Sequence, residues 1–229
     1  MRSTPASSCA LCPRLVAFRR ENQAQYGEWH NAPVPSFGAG NARLLIVGLA
    51  PGLRGANRTG RPFTGDFAGD LLYPTLLRFG FAKGTFSAAI DDGLELVDCR
   101  ITNAVRCVPP ANKPVGAEIN ACRRFLCDEV ATGASARNTA PAIILTLGGI
   151  AHGSTLRALG LKASSYPFVH GAFYPIGKGT PKNGGSGNGQ VLASSYHCSR
   201  YNVNTRRLTS EMFETVIGEV KDRLASQAV

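Results

Sequence analysis

Four short apolar runs constrain this chain more than any other feature: ARLLIVG (42–48), LELVDCRITN (94–103), AIILTLG (142–148) and QVLASS (190–195). Each is bounded by Gly, Pro, Asn or Ser, and none alternates cleanly between apolar and polar residues. That pattern belongs to parallel strands covered on both faces. Helical patterns lie between them: GDLLYPTLLRFG (69–80), in which Pro74 can delay or kink the helix, VGAEINACRRFLCDEV (115–130), and the weaker GIAHGSTLRALG (149–160). The last, TSEMFETVIGEVKDRL (209–224), repeats apolar residues at 212, 213, 216, 217, 220 and 224, with Thr209 as a cap and Glu211 as a first-turn acid. Strand and helix alternate, so a mainly parallel sheet with right-handed crossovers is predicted. At 229 residues and 44% apolar composition, the chain suffices for one substantial core, an α/β/α domain over residues 1–229. KGTPKNGGSGNG (178–189) reads as a flexible insertion, ATGASARNTAP (131–141) as a surface connection, and the first 40 residues as polar and loop-rich.

Charge and thiols narrow the function. Twenty-five Lys and Arg against fifteen Asp and Glu give a net charge of +10, which favours a polyanionic partner such as nucleic acid. No 18-residue apolar span and no secretory signal are visible, so a cytoplasmic protein without a membrane helix is expected. Without secretion, the seven cysteines are not expected to form a disulfide framework. Cys9 and Cys12 form C-x-x-C; with Cys107 and Cys122 they make a four-thiolate set suited to a [4Fe–4S] cluster or a structural zinc ion. Cys127 lies five residues past Cys122, about 140° around the helix, and so faces elsewhere. Cys99 reads as core.

The loop GLAPGLRGANRTGRPFTGD (48–66) follows the first run with five glycines and three arginines and ends on a carboxylate. It lacks the G-K-[ST] of a Walker loop and the G-x-G-x-x-G of a dinucleotide site. In a parallel sheet, ligands bind beyond the carboxyl ends of the strands. This loop, TNAVRC after the second run and SYHCSRYN after the fourth should therefore share one rim. Arg54, Arg58 and Arg61 would add positive charge there, while Phe63, Asp66, Asn103 and His197 would supply a ring, a carboxylate, an amide and an imidazole. That set suits a base turned out of a duplex. Each residue has a plainer reading as well: Phe63 as core, Asp66 as a helix cap, Asn103 as a turn former, His197 as an exposed side chain.

These stretches, with CALC, CRRFL and LTLGGIAH, resemble the uracil-DNA glycosylase superfamily and specifically its family 5, across almost the whole chain. The resemblance implies a three-layer α/β/α sandwich around a four-stranded parallel sheet, a [4Fe–4S] cluster, and monofunctional excision of uracil from DNA during base excision repair. It implies base flipping and hydrolysis of the N-glycosidic bond, extended in many members to other deaminated bases such as hypoxanthine and xanthine. Asp66 would be the catalytic carboxylate, Asn103 would read the base edge, His197 would stabilise the leaving base, and Phe63 would stack. Gly48, Ala50, Pro51 and Gly52 would form the first wall of the pocket, without the polar residue that sister families keep there. Cys9, Cys12, Cys107 and Cys122 would hold the cluster and tie down residues 1–40. By position, Arg200 and Tyr201 would fill the gap left by the base. One departure is HCS in place of the common His-Pro-Ser: Cys198 should loosen that turn and bring a thiol beside the pocket. A monomer acting on DNA is expected; the alternatives are a non-catalytic iron–sulfur DNA-binding protein and a zinc-stabilised nucleoside hydrolase.

Overall fold

The apolar runs become strands because both of their faces are claimed by helices. The structure, a computed structural model, describes residues 4–131, 140–176 and 189–227. In chain order the helices are α1 (Pro13–Gln25), α2 (Ala56–Thr59), α3 (Phe67–Phe79), α4 (Gly116–Val130), α5 (Gly149–Ala158), α6 (Arg200–Asn204) and α7 (Ser210–Ser226). The strands are β1 (Leu44–Gly48), β2 (Ala82–Lys83), β3 (Glu95–Leu96), β4 (Cys99–Asn103), β5 (Ile143–Leu147), β6 (Phe173–Ile176) and β7 (Gln190–Ser195). Along β1, Leu44 and Ile46 pack with Leu72 and Leu76 of α3 and with Phe213 and Ile217 of α7. Leu45 and Val47 pack on the opposite face with Leu126 of α4 and Leu156 of α5. Each such side chain contributes about 1.5–3 kcal/mol by leaving water. Among the described residues no helix is long and apolar enough to cross a membrane.

The sheet order is β4-β1-β5-β7-β6, with β4, β1, β5 and β7 parallel as expected. The fifth strand, β6, was not anticipated and runs antiparallel at the edge. It is short and contains Pro175, which an edge position tolerates because one side of the strand needs no ladder donor. The run at 94–103 is also divided. β3 pairs with β2 in a separate ribbon, and the chain bends at Asp98, with φ of 49°, before β4 begins. Asp98 accepts hydrogen bonds from the backbone N–H and Nε of Arg43, which fixes the bend beside the start of β1.

Helix α1 lies in a segment that reads as loop. Its buried residues are Leu15, Arg19 and Asn22. Two of those three are polar, so the inward face carries no apolar periodicity to betray the helix. Helix α3 passes through Pro74, and Asp70, whose carbonyl loses its usual donor, is exposed to water. The expected connections at 131–141 and 178–189 fall mostly outside the described residues.

One topological detail places the site. β1 and β4 are neighbours, with Gly48 opposite Asn103 at their carboxyl ends. The chain leaves β1 for α3 on one face and β4 for α4 on the other. Departing in opposite directions, the two connections leave a crevice between them.

Candidate active site

The crevice is a cleft of about 380 Å³ lined by Ala50, Pro51, Gly52, Phe63, Asp66, Asn103 and His197, among others. The three loops expected on one rim meet there. Asn103 is held by its place at the end of β4 and is only 4% exposed. Among the described residues its amide makes no hydrogen bond, so both its donor and its acceptor remain available to the cleft. Gly48 does not line the cleft as expected. It lies behind it, where a Cβ would stand 2.6 Å from Phe63 Cζ and would collide with Asn103 Oδ1. The bare backbone lets the ring and the amide close up together.

Phe63 adopts φ of 53°, in the left-handed region that a bulky side chain ordinarily avoids. Its two neighbours hold it there. The Pro62 carbonyl accepts from Tyr73 Oη at 2.6 Å, and Thr64 Oγ1 accepts from Arg61 Nε at 2.7 Å. The result is a buried ring whose centroid lies 5.9 Å from that of His197. Asn112, another lining residue, also has positive φ, and backbone strain of this kind gathers at functional sites.

Asp66 is the N-terminal flanking residue of α3, but its side chain makes no capping hydrogen bond. Its Oδ1 is buried without a partner. Burial pushes the carboxyl above its ordinary value, against the opposing pull of the Gly69 and Ala68 N–H groups at the start of the helix. Gly52 and Gly55 leave room for it, since a Cβ on Gly52 would stand 3.1 Å from Asp66 Oδ2. Burial holds His197 below the ordinary histidine value and so keeps the imidazole neutral near pH 7. The residue is fixed through its backbone, whose carbonyl accepts from Asn202 Nδ2 at 2.8 Å. A carboxylate with one unpartnered oxygen, a free amide, a neutral imidazole and a ring thus face one hollow.

The family profile described as "Uracil DNA glycosylase superfamily" matches residues 35–221, which contain every residue of this cleft. The chain belongs to the uracil DNA glycosylase superfamily. It is 45% identical over 224 residues to the type-5 uracil-DNA glycosylase of Thermus thermophilus, covering 96% of this chain and 94% of that one. It is 39% identical over 233 residues to the type-5 uracil-DNA glycosylase of Mycobacterium bovis, covering 94% and 78%. The protein of the same name from Pyrobaculum aerophilum is 36% identical over 225 residues, covering 96% and 89%.

Besides Gly48, two further expectations about the site require correction. Arg61 does not reach a surface where it could meet DNA. It is buried, donates to both oxygens of Asp92 at 2.8 and 2.7 Å, and lies 5.3–6.0 Å from the ring centroids of Phe37, Tyr73 and Phe86. These bonds hold the Asp92 carboxyl well below the usual range. Cys198 does not open its thiol into the pocket either; although its neighbours His197 and Ser199 line the cleft, it is fully buried in the main core. The turn is secured without proline, because Ser199 Oγ caps α6 and Asn202 grips the His197 carbonyl.

Arg54, Arg58 and Arg200 are exposed. Arg200 lines the cleft and stands 5.4 Å from the ring centroid of Phe67, beside Tyr201, which is 71% exposed. Sequence reasoning missed Leu49, Ala56, Phe67, Ala68, Asn112 and Ser199 in the lining. Asn112 comes from the turn after Pro110, where Ala111 and Asn112 both have positive φ, and its Oδ1 accepts from the Leu53 N–H at 3.2 Å. After glycine, Asn is among the residues most at ease in that conformation, which was the available signal.

Cys9, Cys12, Cys107 and Cys122 line one small hollow between α1, α4 and the loop after β4. Arg19 Nη1 lies 3.8 Å from Cys107 Sγ, and the Arg106 N–H donates to Cys122 Sγ at 3.4 Å. Among the described residues no three His, Cys, Asp or Glu groups are gathered as the ligands of a metal ion. Cys127 is turned away, donating to the Ala158 carbonyl, and Cys99 belongs to the main core.

Proposed function

We propose that this chain is a uracil-DNA glycosylase that hydrolyses the N-glycosidic bond of uracil in DNA and leaves the backbone intact. The carrying observation is that Asp66, Asn103 and His197, from three separate loops, line one cleft of about 380 Å³. That volume suits a small planar ligand. The names of the relatives support the same reading.

Turning a base out of the duplex costs a few kcal/mol, least for a mispaired base. Phe63 then stacks on the base and Asn103 pairs with its polar edge. As the bond to the sugar lengthens, positive charge grows on the sugar and negative charge on the base. Ionised Asp66 stabilises the first and orients a water molecule, while neutral His197 donates a hydrogen bond to the second. The water hydroxyl joins C1′, and the departing base takes up a proton. Among the described residues no lysine lines the cleft, so the lining offers no amine for a Schiff base and no route to strand cleavage. Small residues at Ala50, Gly52, Ala56 and Ala68 leave room for hypoxanthine or xanthine. Arg54, Arg58 and Arg200 meet phosphates, Tyr201 fills the vacated space, and the protein acts as a monomer.

The four thiols around one hollow, with N–H donors at two of the sulfurs, fit a [4Fe–4S] cluster; a structural zinc ion is the other occupant of such a donor set. Cys9, Cys12, Cys107 and Cys122 would hold it. When bound, such a group supplies a cross-link that ties residues 1–40 to the domain. The test of function is base release: a uracil-containing duplex should yield free uracil, with the strand uncut until alkali is added. Salt-sensitive binding without base release would instead identify the non-catalytic DNA-binding alternative.

A further inference from the structure

Arg19 is an unexplained charge. It lies on the inward face of α1 with Leu15 and Asn22 and is only 7% exposed. A buried guanidinium is unfavourable unless an anion accompanies it. Among the described residues Arg19 forms no ion pair. Its Nη2 donates to the Cys9 carbonyl at 3.0 Å, and its Nη1 points to Cys107 Sγ at 3.8 Å. Glu118, whose charge reaches Cys12, is already taken: Arg14 donates to both its oxygens at 2.8 and 2.9 Å, and the Val115 N–H donates as well. Among the described residues, then, no carboxylate pairs with Arg19 to balance its charge.

We infer that Arg19 is the internal counter-charge of the four-thiolate site, balancing an anionic iron–sulfur group held by Cys9, Cys12, Cys107 and Cys122. The inference rests on the cluster reading given above. The hollow is otherwise walled by Leu15, Val16, Val105 and Phe125, so a net negative group there gains little from water. A fixed cation beside one ligand sulfur stabilises that charge, and most strongly in the reduced state. Charge, hydrogen bonds to sulfur and solvent exposure are the quantities that set the potential of such a group. The planar fork of arginine also serves a purpose that lysine cannot match. It reaches a sulfur and the carbonyl of a second ligand residue together, linking Cys9 to Cys107.

The test compares Arg19→Gln and Arg19→Lys with the wild type as purified full-length proteins, well below their melting temperatures. Two quantities are measured: the midpoint potential by voltammetry, and the rate at which visible iron–thiolate absorbance is lost in air. Arg19→Gln should move the potential to more negative values and lose absorbance about tenfold faster. Arg19→Lys keeps the charge but not the fork, so it should shift both in the same direction by less; it decides the case if the Gln variant does not fold. Wild-type potential and lifetime in the variants would overturn the inference, even if their melting temperatures fell, because a purely structural role predicts that pattern. Wild-type protein with neither iron nor visible absorbance is a separate outcome, and it would overturn the cluster reading itself.

Discussion

Replacing Asp92 with Asn would test whether the Phe63 ring, proposed to stack on the base, is held from behind. The substitution keeps the shape and removes one charge of a buried pair whose side chains are 4% and 1% exposed. Breaking such a pair costs about 3–5 kcal/mol, because the surviving charge is stranded. The three rings around the Arg61 guanidinium compensate in part, and the Ser87 and Leu94 N–H groups can still find an amide oxygen. The low end, about 3 kcal/mol, is therefore expected. For a chain of this length that lowers the melting temperature by about 6–12 °C. Because Arg61 depresses the folded-state pKa of Asp92, its stabilisation is present at neutral pH and is lost only as pH falls through that depressed value. The gap between variant and wild type should accordingly persist from pH 8 down to about pH 5. The same loss loosens the Thr64 contact that keeps Phe63 at positive φ, a conformation that costs about 1–2 kcal/mol. Differential scanning calorimetry measures the first effect. Steady-state base release measures the second, as a rise in KM larger than the fall in kcat. An Asn variant that melts with the wild type and keeps its KM would refute the argument.

Asp66→Asn should raise the melting temperature at pH 7, since it removes a largely buried carboxylate with one unpartnered oxygen, whose raised pKa means that folding disfavours its charge. That gain should shrink as pH falls and vanish by about pH 3, below the unfolded-state pKa, where the wild-type carboxyl is neutral in both states; parallel melts at the two pH values check it. Arg54→Ala and Arg58→Ala should each reduce the slope of log affinity against log salt for duplex DNA by about one, measured by fluorescence anisotropy. Gly48→Ala forces a methyl group into Phe63 and Asn103, and overpacking of this kind costs about 1–3 kcal/mol; denaturant titration should show the loss.

The layers, the four parallel strands and the convergence of three loops were legible because they follow from strand composition and one topological rule. What was hidden shares a common cause: polar residues pointing inward. Arg61 looks like a phosphate contact until Asp92, thirty-one positions away, claims it. Helix α1 buries Arg19 and Asn22 and so carries no apolar stripe. Cys198 replaces a proline by adding to the core, while Asn202 holds the turn by a bond that spacing alone does not announce. Asn112 enters the cleft through two successive residues of positive φ. Single-residue backbone states of that kind are set by tertiary contacts, not by local pattern.

The account depends most on the carboxylate beneath the sugar, and single-turnover uracil release by Asp66→Asn on a uracil-containing duplex examines it directly. The expected result is a rate lower by about a hundredfold or more, with duplex affinity kept near that of the wild type. A variant that binds and releases uracil at the wild-type rate would contradict it.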